Sequence, residues 1–332
     1  MKLIIQIPCL NEEGTLPAVI RDLPERVDGF DSVEYLVVDD GSTDRTVEVA
    51  KEIGVHHVAS LPGNKGLARA FSAGLEVALR LGADVIVNTD GDNQYRGDDI
   101  PRLVEPVVAG RADIVIGDRE TASIAHFSWI KKRLQALGSL VVRRFSGTDV
   151  PDATSGFRAW SREAALHMNI LSPFSYTLES IIQGATKGFR IESVPIRTNE
   201  KTRESRLMRS TSEFVVRSAT TILRISAFYK PFRFFFYIGL VAVLAGAALG
   251  IRFLWFFLTG EGEGHIQSLI LTAVLLLMGF TTFVLAVVAD LVSVNRRLQE
   301  DILYRVRRME IAAPERARGE VRGIAVWSKG AE

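Results

Sequence analysis

The chain has 332 residues, 47% of them hydrophobic and 24% charged, with a formal net charge of +1 and one cysteine, Cys9. A charge so close to zero gives no support to a nucleic-acid partner, a lone cysteine excludes an internal disulfide, and the length suits two domains or one domain with an appendage. Leu3 to Ile7 is too short for the apolar core of a signal peptide and runs straight into Pro8, so no leader is expected there.

Residues 1–120 alternate two patterns. LIIQI, EYLVVDD, VHHVAS, DVIVNTD and DIVIGD are short runs rich in β-branched residues; TVEVAKEI and GLARAFSAGLEVALRLG between them read as helices. Such alternation predicts an α/β domain with a mixed, mostly parallel sheet and helices on both faces, its functional groups at the carboxyl ends of the strands. The polar clusters fall at those ends: PCLNEEG, DDGSTD, TDGDNQ and GDRE.

The second strand ends on Asp39 and Asp40, with Gly41 permitting a tight turn. Asp44 suits a cap for the helix that follows. Asp40 has no such local task in the sequence, and its carboxylate is placed to accept hydrogen bonds from a ribose or a base. At the fourth strand end, Asp90, Asp92 and Gln94 alternate, and in an extended segment their oxygens would converge. A hard cation such as Mg²⁺ or Mn²⁺ would relieve the repulsion between two such close carboxylates. The other reading is a turn in which the acids accept local amides. An EF-hand is excluded, because counting from Asp90 the sixth position is Tyr95 and the twelfth Pro101. The strand ends carry neither a dinucleotide-binding G-x-G-x-x-G nor a P-loop.

FSWIKKRLQALGSLVVRRF places Ile130, Leu134, Leu137, Val141 and Phe145 at helical spacing among basic residues that include Arg133. It reads either as a membrane-surface helix or as an ordinary core-facing one. Lys201 to Arg233 is again basic, and residues 234–251 and 267–289 carry no formal charge. Each apolar run is long enough to cross a bilayer. The linker TGEGEGH is acidic, whereas Arg296, Arg297, Arg305, Arg307 and Arg308 follow the second run, so the charge rule places the head and both termini in the cytoplasm. The expected organisation is a catalytic domain over 1–210, a juxtamembrane amphipathic helix over 211–232, membrane helices over 233–258 and 267–291, an extracytoplasmic loop over 259–266 and a cytoplasmic tail over 292–332. APERARGEVRGIAVWSKGAE reads as a loose tail.

IIQIPCLNEEGTL, VVDDGSTDRT, PGNKGLARA, NTDGDNQY, IGDRE and DATSGFRAW, in this order, resemble the family 2 glycosyltransferases of the GT-A fold over residues 1 to about 210. Within that family the chain is similar to the polyprenyl-phosphate glycosyltransferases, which act on dolichyl and undecaprenyl phosphates. KTRESRLMRS followed by two apolar runs resembles the bacterial type. The resemblance implies that Pro8, Leu10 and Glu12 border the nucleotide and that Asp40 holds its base or ribose. Asp90, Gly91, Asp92 and Gln94 would surround the metal, Mg²⁺ or Mn²⁺, and the diphosphate, with Arg119 reaching the donor. Asp118 stands where the family more usually has a small residue.

The implied activity is inverting transfer of a hexose from a nucleotide-diphosphate sugar to polyprenyl phosphate at the cytoplasmic face of the bilayer. A phosphate monoester has a second pKa of about 6, so the acceptor is already a nucleophilic dianion at neutral pH and needs no strong base. Asp152 is the candidate for positioning the acceptor phosphate or its proton, with a turn residue as the other reading. Lys201, Arg203, Arg206 and Arg133 are candidate clamps for that phosphate, or else a basic face attracted to anionic lipid. Two other functions remain open: transfer to the hydroxyl of a polysaccharide or lipid-linked oligosaccharide, and a non-catalytic nucleotide-binding scaffold. The sequence leaves a homo-oligomer open.

Overall fold

β1 (Lys2–Cys9) is buried along almost its whole length in the computed structural model, which describes residues 1–119, 147–170, 176–199, 220, 227–260, 266–312 and 323–330. It pairs in parallel with β2 (Ser32–Asp39) on one side and β4 (Val85–Asn88) on the other. Beyond β2 lies β3 (His57–Ser60), also parallel. Beyond β4, β6 (Arg158–Ser161) runs antiparallel between β4 and β5 (Ile114–Asp118), and β7 (Ile191–Pro195) lies parallel to β5 at the far edge. With β8 (Ala325–Ser328) on the β3 side, the eight-stranded order is β7-β5-β6-β4-β1-β2-β3-β8. The sheet is mixed and mostly parallel, as expected.

Alternation along β1 assigns its two faces. Leu3, Ile5 and Ile7 enter a core with Leu16 and Val19 of α1 (Leu16–Asp22), Ala50 of α2 (Thr46–Glu52), and Ile100, Leu103 and Val104 of α4 (Ile100–Val108). Gln6 faces the other way, toward α3 (Leu67–Arg80), where its Nε2 donates to the Phe71 carbonyl at 3.5 Å. α3 buries Ala68, Phe71, Leu75 and Ala78 at helical spacing. Helices therefore cover both faces. The N-cap of α2 is Arg45, which makes no side-chain cap; Asp44, one residue earlier, instead accepts from the first helical amide, that of Thr46, at 3.0 Å.

The loose-tail expectation fails for Ala325–Ser328. β8 pairs antiparallel with β3, placing Ser328 opposite His57 and Trp327 opposite Val58. His57 Nδ1 lies 2.8 Å from Ser328 Oγ, Ile324 is buried, and Lys51 Nζ sits 5.4 Å from the centre of the Trp327 ring. A four-residue strand within the six residues between Gly323 and Gly330 carries a weak sequence signal, but the open β3 edge has unpaired backbone groups that such a strand satisfies.

The chain divides into two compact units, Met1–Val215 with Leu303–Glu332, and Val216–Ile302. The second contains α7 (Pro231–Leu258) and most of α8 (Ile266–Ala312), both long and apolar enough to cross a bilayer. The two helices pack where Phe236 meets Phe283, ring centres 5.2 Å apart, and where Gly239 approaches Gly279. Large apolar side chains such as Val241, Leu244, Leu277 and Val287 remain exposed within this unit. In the first unit, the end of α8 rests on α5 (Arg162–His167): Tyr304 donates to Glu163 at 2.8 Å, and Arg307 to the Met168 carbonyl at 2.6 Å.

Candidate active site

The carboxyl ends of β1, β2, β4 and β5 lead directly into Leu10–Glu12, Asp40, Thr89–Asp92 and Arg119. Parallel pairing in register makes those ends neighbours: Cys9 lies opposite Asp39, and Gln6 opposite Asn88. Gly91 completes the junction, since a Cβ there would sit 3.1 Å from Cys9 Sγ, 3.3 Å from the Pro8 carbonyl and 3.4 Å from Glu12 Cγ. Pro8, Glu12 and Gly91 are thus packed together. Glu12 is buried; its amide donates to Thr46 Oγ1 at 2.8 Å and its carboxylate accepts from Thr15 Oγ1 at 2.6 Å. That local bonding fixes the turn after β1.

Asp40 has no partner close in sequence, but it does have a structural one. Its carboxylate oxygens accept the amides of Lys65 at 2.7 Å and Gly66 at 2.8 Å, tying the loop before α3 to the end of β2. Loop closure brings a donor to Asp40 from 25 residues away, which local sequence cannot reveal.

The extended run expected over Asp90, Asp92 and Gln94 is not present. The chain turns at Gly91–Asn93, with Asn93 at φ +57°, and Asp92 Oδ1 accepts the Gln94 amide at 3.1 Å. This is the local turn that Asp favours. The crowding of charge holds all the same. Burial, and then the neighbouring Asp92 carboxylate, push Asp90 up to about 7, against the opposing pull of Arg119 and Arg158. Gln94 contributes its backbone, accepting from the Asn199 amide at 2.9 Å. Among the described residues, no group of three or more His, Cys, Asp or Glu side chains could hold a metal. Asp90 and Asp92 form an oxygen-only donor pair, and the raised proton affinity of Asp90 marks a site short of positive charge. That donor set suits a hard cation that takes its other ligands from phosphate oxygens and water.

Arg119, just beyond β5, grips Asp152: Nε to Oδ2 is 2.7 Å and Nη2 to Oδ1 is 3.1 Å, with Thr154 Oγ1 at 2.9 Å. The Asp152 side chain is 1% exposed and that of Arg119 12%. Burial opposes ionisation of Asp152, but Arg119 and Thr154 outweigh it and hold the carboxyl below its usual range. A carboxylate so engaged is a weak proton acceptor, and its evident task is to orient Arg119.

Several residues that sequence reasoning passed over complete the site. Arg158, fully buried, donates to the carbonyls of Ser155, Ala153 and Thr177 and to Ser180 Oγ at 2.7–2.9 Å, which fastens the 152–156 loop to α6 (Tyr176–Thr186). Burial lowers its pKa to about 10. An arginine inside the strand-like run FRAW was the available signal. Asn88, Tyr95 and Tyr176 are buried around Gly156. Lys201, Arg203, Arg206, Arg133 and the helix expected over 130–145 lie outside the described residues.

Residues 4–167 match the family described as Glycosyl transferase family 2. The chain is 31% identical over 207 residues to an undecaprenyl-phosphate mannosyltransferase of Micrococcus luteus, covering 59% of this chain and 83% of that relative. The chain belongs to glycosyl transferase family 2. A polyprenol monophosphomannose synthase of Mycolicibacterium smegmatis is 28% identical over 209 residues, 60% of this chain and 77% of the relative. Among solved structures, glucosyl-3-phosphoglycerate synthase of Mycobacterium tuberculosis, in complex with Mn²⁺, UDP and glucosyl-3-phosphoglycerate, superposes with a TM-score of 0.54. It is 23% identical and covers 68% of this chain and 79% of that one, a likeness of fold. This member of the family is accordingly a glycosyltransferase with a GT-A fold, its polar strand ends gathered as described above.

Proposed function

We propose that this glycosyltransferase moves a hexose from a nucleotide-diphosphate sugar to a polyprenyl phosphate, with inversion at the anomeric carbon. The observation that carries the proposal is the convergence on Asp90 of Asp92, Glu12 and Arg119 from the carboxyl ends of β4, β1 and β5, with Arg158 coming from the start of the antiparallel β6. Relatives whose names specify polyprenol and undecaprenyl phosphate support the acceptor class. The fold neighbour's complex with Mn²⁺ and UDP supports the donor class.

Asp90 and Asp92 would hold Mg²⁺ or Mn²⁺, which when bound supplies positive charge to a departing diphosphate. The protein's own groups do the rest. Pro8, Leu10 and Glu12 border the nucleotide, and Asp40 faces it while holding the loop at Lys65 and Gly66. Arg119, fixed by Asp152 and Thr154, directs its remaining donor capacity to the donor phosphates. A phosphate oxygen of the acceptor forms the new bond to the anomeric carbon as the bond to the nucleoside diphosphate breaks, and the diphosphate leaves with the electron pair. The acceptor is a dianion, so no proton needs to be removed. This fits an Asp152 that is committed to Arg119.

The organisation proposed is a catalytic head over 1–210, membrane helices within 233–258 and 267–291, and the segment after 292 on the same side as the head. Support comes from β8: it shares one sheet with β1–β3, so the chain must return to the side it left. The basic flanks and acidic linker favour the cytoplasm for that side. Lys201, Arg203, Arg206 and Arg133 are proposed to meet the acceptor phosphate.

The test is transfer of radiolabelled sugar from a panel of nucleotide sugars to polyprenyl phosphate by the purified full-length protein. Product from at least one donor, abolished by chelator and by Asp92→Asn, is expected. Full metal-independent activity of Asp92→Asn overturns the site assignment; transfer only to saccharide hydroxyls overturns the acceptor.

A further inference from the structure

At Gly156 even a methyl group would crowd its neighbours. A Cβ built on it would lie 3.0 and 3.1 Å from the two carboxylate oxygens of Asp90 and 2.9 Å from the Tyr176 hydroxyl. Its peptide is held from both sides. The Gly156 amide donates to the Tyr95 hydroxyl at 3.0 Å, and its carbonyl accepts from Asn88 Nδ2 at 2.9 Å and from the Tyr176 hydroxyl at 3.4 Å. Asn88 Nδ2 also donates to that hydroxyl at 3.0 Å, and Asn88 Oδ1 accepts from Gln6 at 2.9 Å. The Tyr176 ring lies flat on Phe71, centres 3.9 Å apart and 8° from parallel, while Tyr95 stacks on Phe157 at 5.1 Å. Gly156, Asn88, Gln6, Tyr95, Tyr176, Phe71 and Phe157 are all buried, and Asp90 is half-buried in front of them.

We propose that Gly156, held by Asn88, Tyr95 and Tyr176, is a backstop that sets where the Asp90 carboxylate stands and so tunes its grip on a divalent cation. The inference rests on the reading of Asp90 as an ion-holding carboxylate. Residues behind a ligand that fix its orientation govern metal affinity even though they never touch the ion. Here the backing is a wall of backbone, made flat by the missing Cβ and rigid by three aromatic or amide side chains. Tyr176 and Asn88 are positioning residues, and they join the core network at Gln6 to the end of β4.

The experiment uses the full-length protein in detergent, with Mn²⁺ titrated in the presence of UDP and, separately, of GDP, and free Mn²⁺ read by electron paramagnetic resonance. Saturable binding that is lost in Asp90→Asn establishes the underlying reading. Gly156→Ala and Tyr176→Phe are then expected to weaken Mn²⁺ by about tenfold. Tyr176→Phe keeps the ring on Phe71 and removes only the hydroxyl. Gly184→Ala is the control for crowding elsewhere in α6, since its Cβ would meet Ile114 Cδ1 at 2.6 Å; it should lower thermal stability and leave Mn²⁺ affinity unchanged. Tyr176→Phe binding Mn²⁺ within twofold of wild type overturns the inference alone. Absence of saturable Mn²⁺ binding in the wild-type protein overturns the reading of Asp90, and the inference with it.

Discussion

Replacing Asp152 by Asn distinguishes a structural clamp from a proton acceptor. The side chain is 1% exposed, and its two oxygens together accept from Arg119 Nε, Arg119 Nη2 and the Thr154 amide and hydroxyl. Asn keeps one carbonyl acceptor but removes the charge, leaving a guanidinium only 12% exposed beside a neutral partner. Breaking a buried pair on one side costs on the order of 3–5 kcal/mol, and the retained acceptor places this variant near the lower end. For a head of this size that is a fall in melting temperature of roughly 6–12 °C. Differential scanning fluorimetry in detergent, paired with donor titration, measures both consequences: lower stability and weaker donor binding. Because the folded pKa of Asp152 is depressed, its stabilising contribution is present above the unfolded value of about 3.9 and is lost as pH falls through the folded value. The gap between wild type and variant should therefore be constant from neutral pH down to about pH 5 and close only in stronger acid. A variant that melts with wild type and binds donor normally, yet fails to transfer sugar, would refute the clamp and return Asp152 to the role of proton acceptor.

Three further outcomes follow from the same geometry. With Asp90 near 7, Mn²⁺ binding should release about 0.9 proton at pH 6 and about 0.1 at pH 8, read by calorimetry in buffers of different ionisation enthalpy; pH-independent release would place Asp90 in the ordinary range. Asp40→Ala frees the Lys65 and Gly66 amides at a cost of about 1–3 kcal/mol, so hydrogen exchange at those two amides should quicken and donor affinity fall; unchanged protection would refute the tether. Deleting residues 323–332 uncovers the β3 edge and removes Ile324 and Trp327, each worth about 1.5–3 kcal/mol if fully buried, so the truncated protein should melt earlier and scatter light on concentration. Wild-type melting of the truncated protein would show β8 to be dispensable.

Strand-and-helix alternation and the position of the polar clusters were legible because both are local and periodic. Asp90 and Asp92 could be picked out because they sit where a strand runs out, whereas Arg119 was reached through the family resemblance of IGDRE. The turn at Asn93 was hidden, since an alternating D-x-D-x-Q is compatible with a strand until the left-handed residue is known. The partnership of Asp40 with Lys65 and Gly66, and that of Arg119 with Asp152, depend on segments brought together only by folding. Arg158 was overlooked for a different reason: its four hydrogen bonds run mostly to backbone carbonyls, a partner type that leaves no trace in side-chain pattern.

The pairing of β8 with β3 also sets an order of events during synthesis. Domains generally begin to fold from their amino-terminal side as they leave the ribosome. Here the sheet has an uncovered margin until both hydrophobic helices have been made and the translating chain has reached Ala325. A ribosome that stalls within the second helix would leave a nascent chain whose β3 edge is unpaired, the kind of margin through which sheets associate.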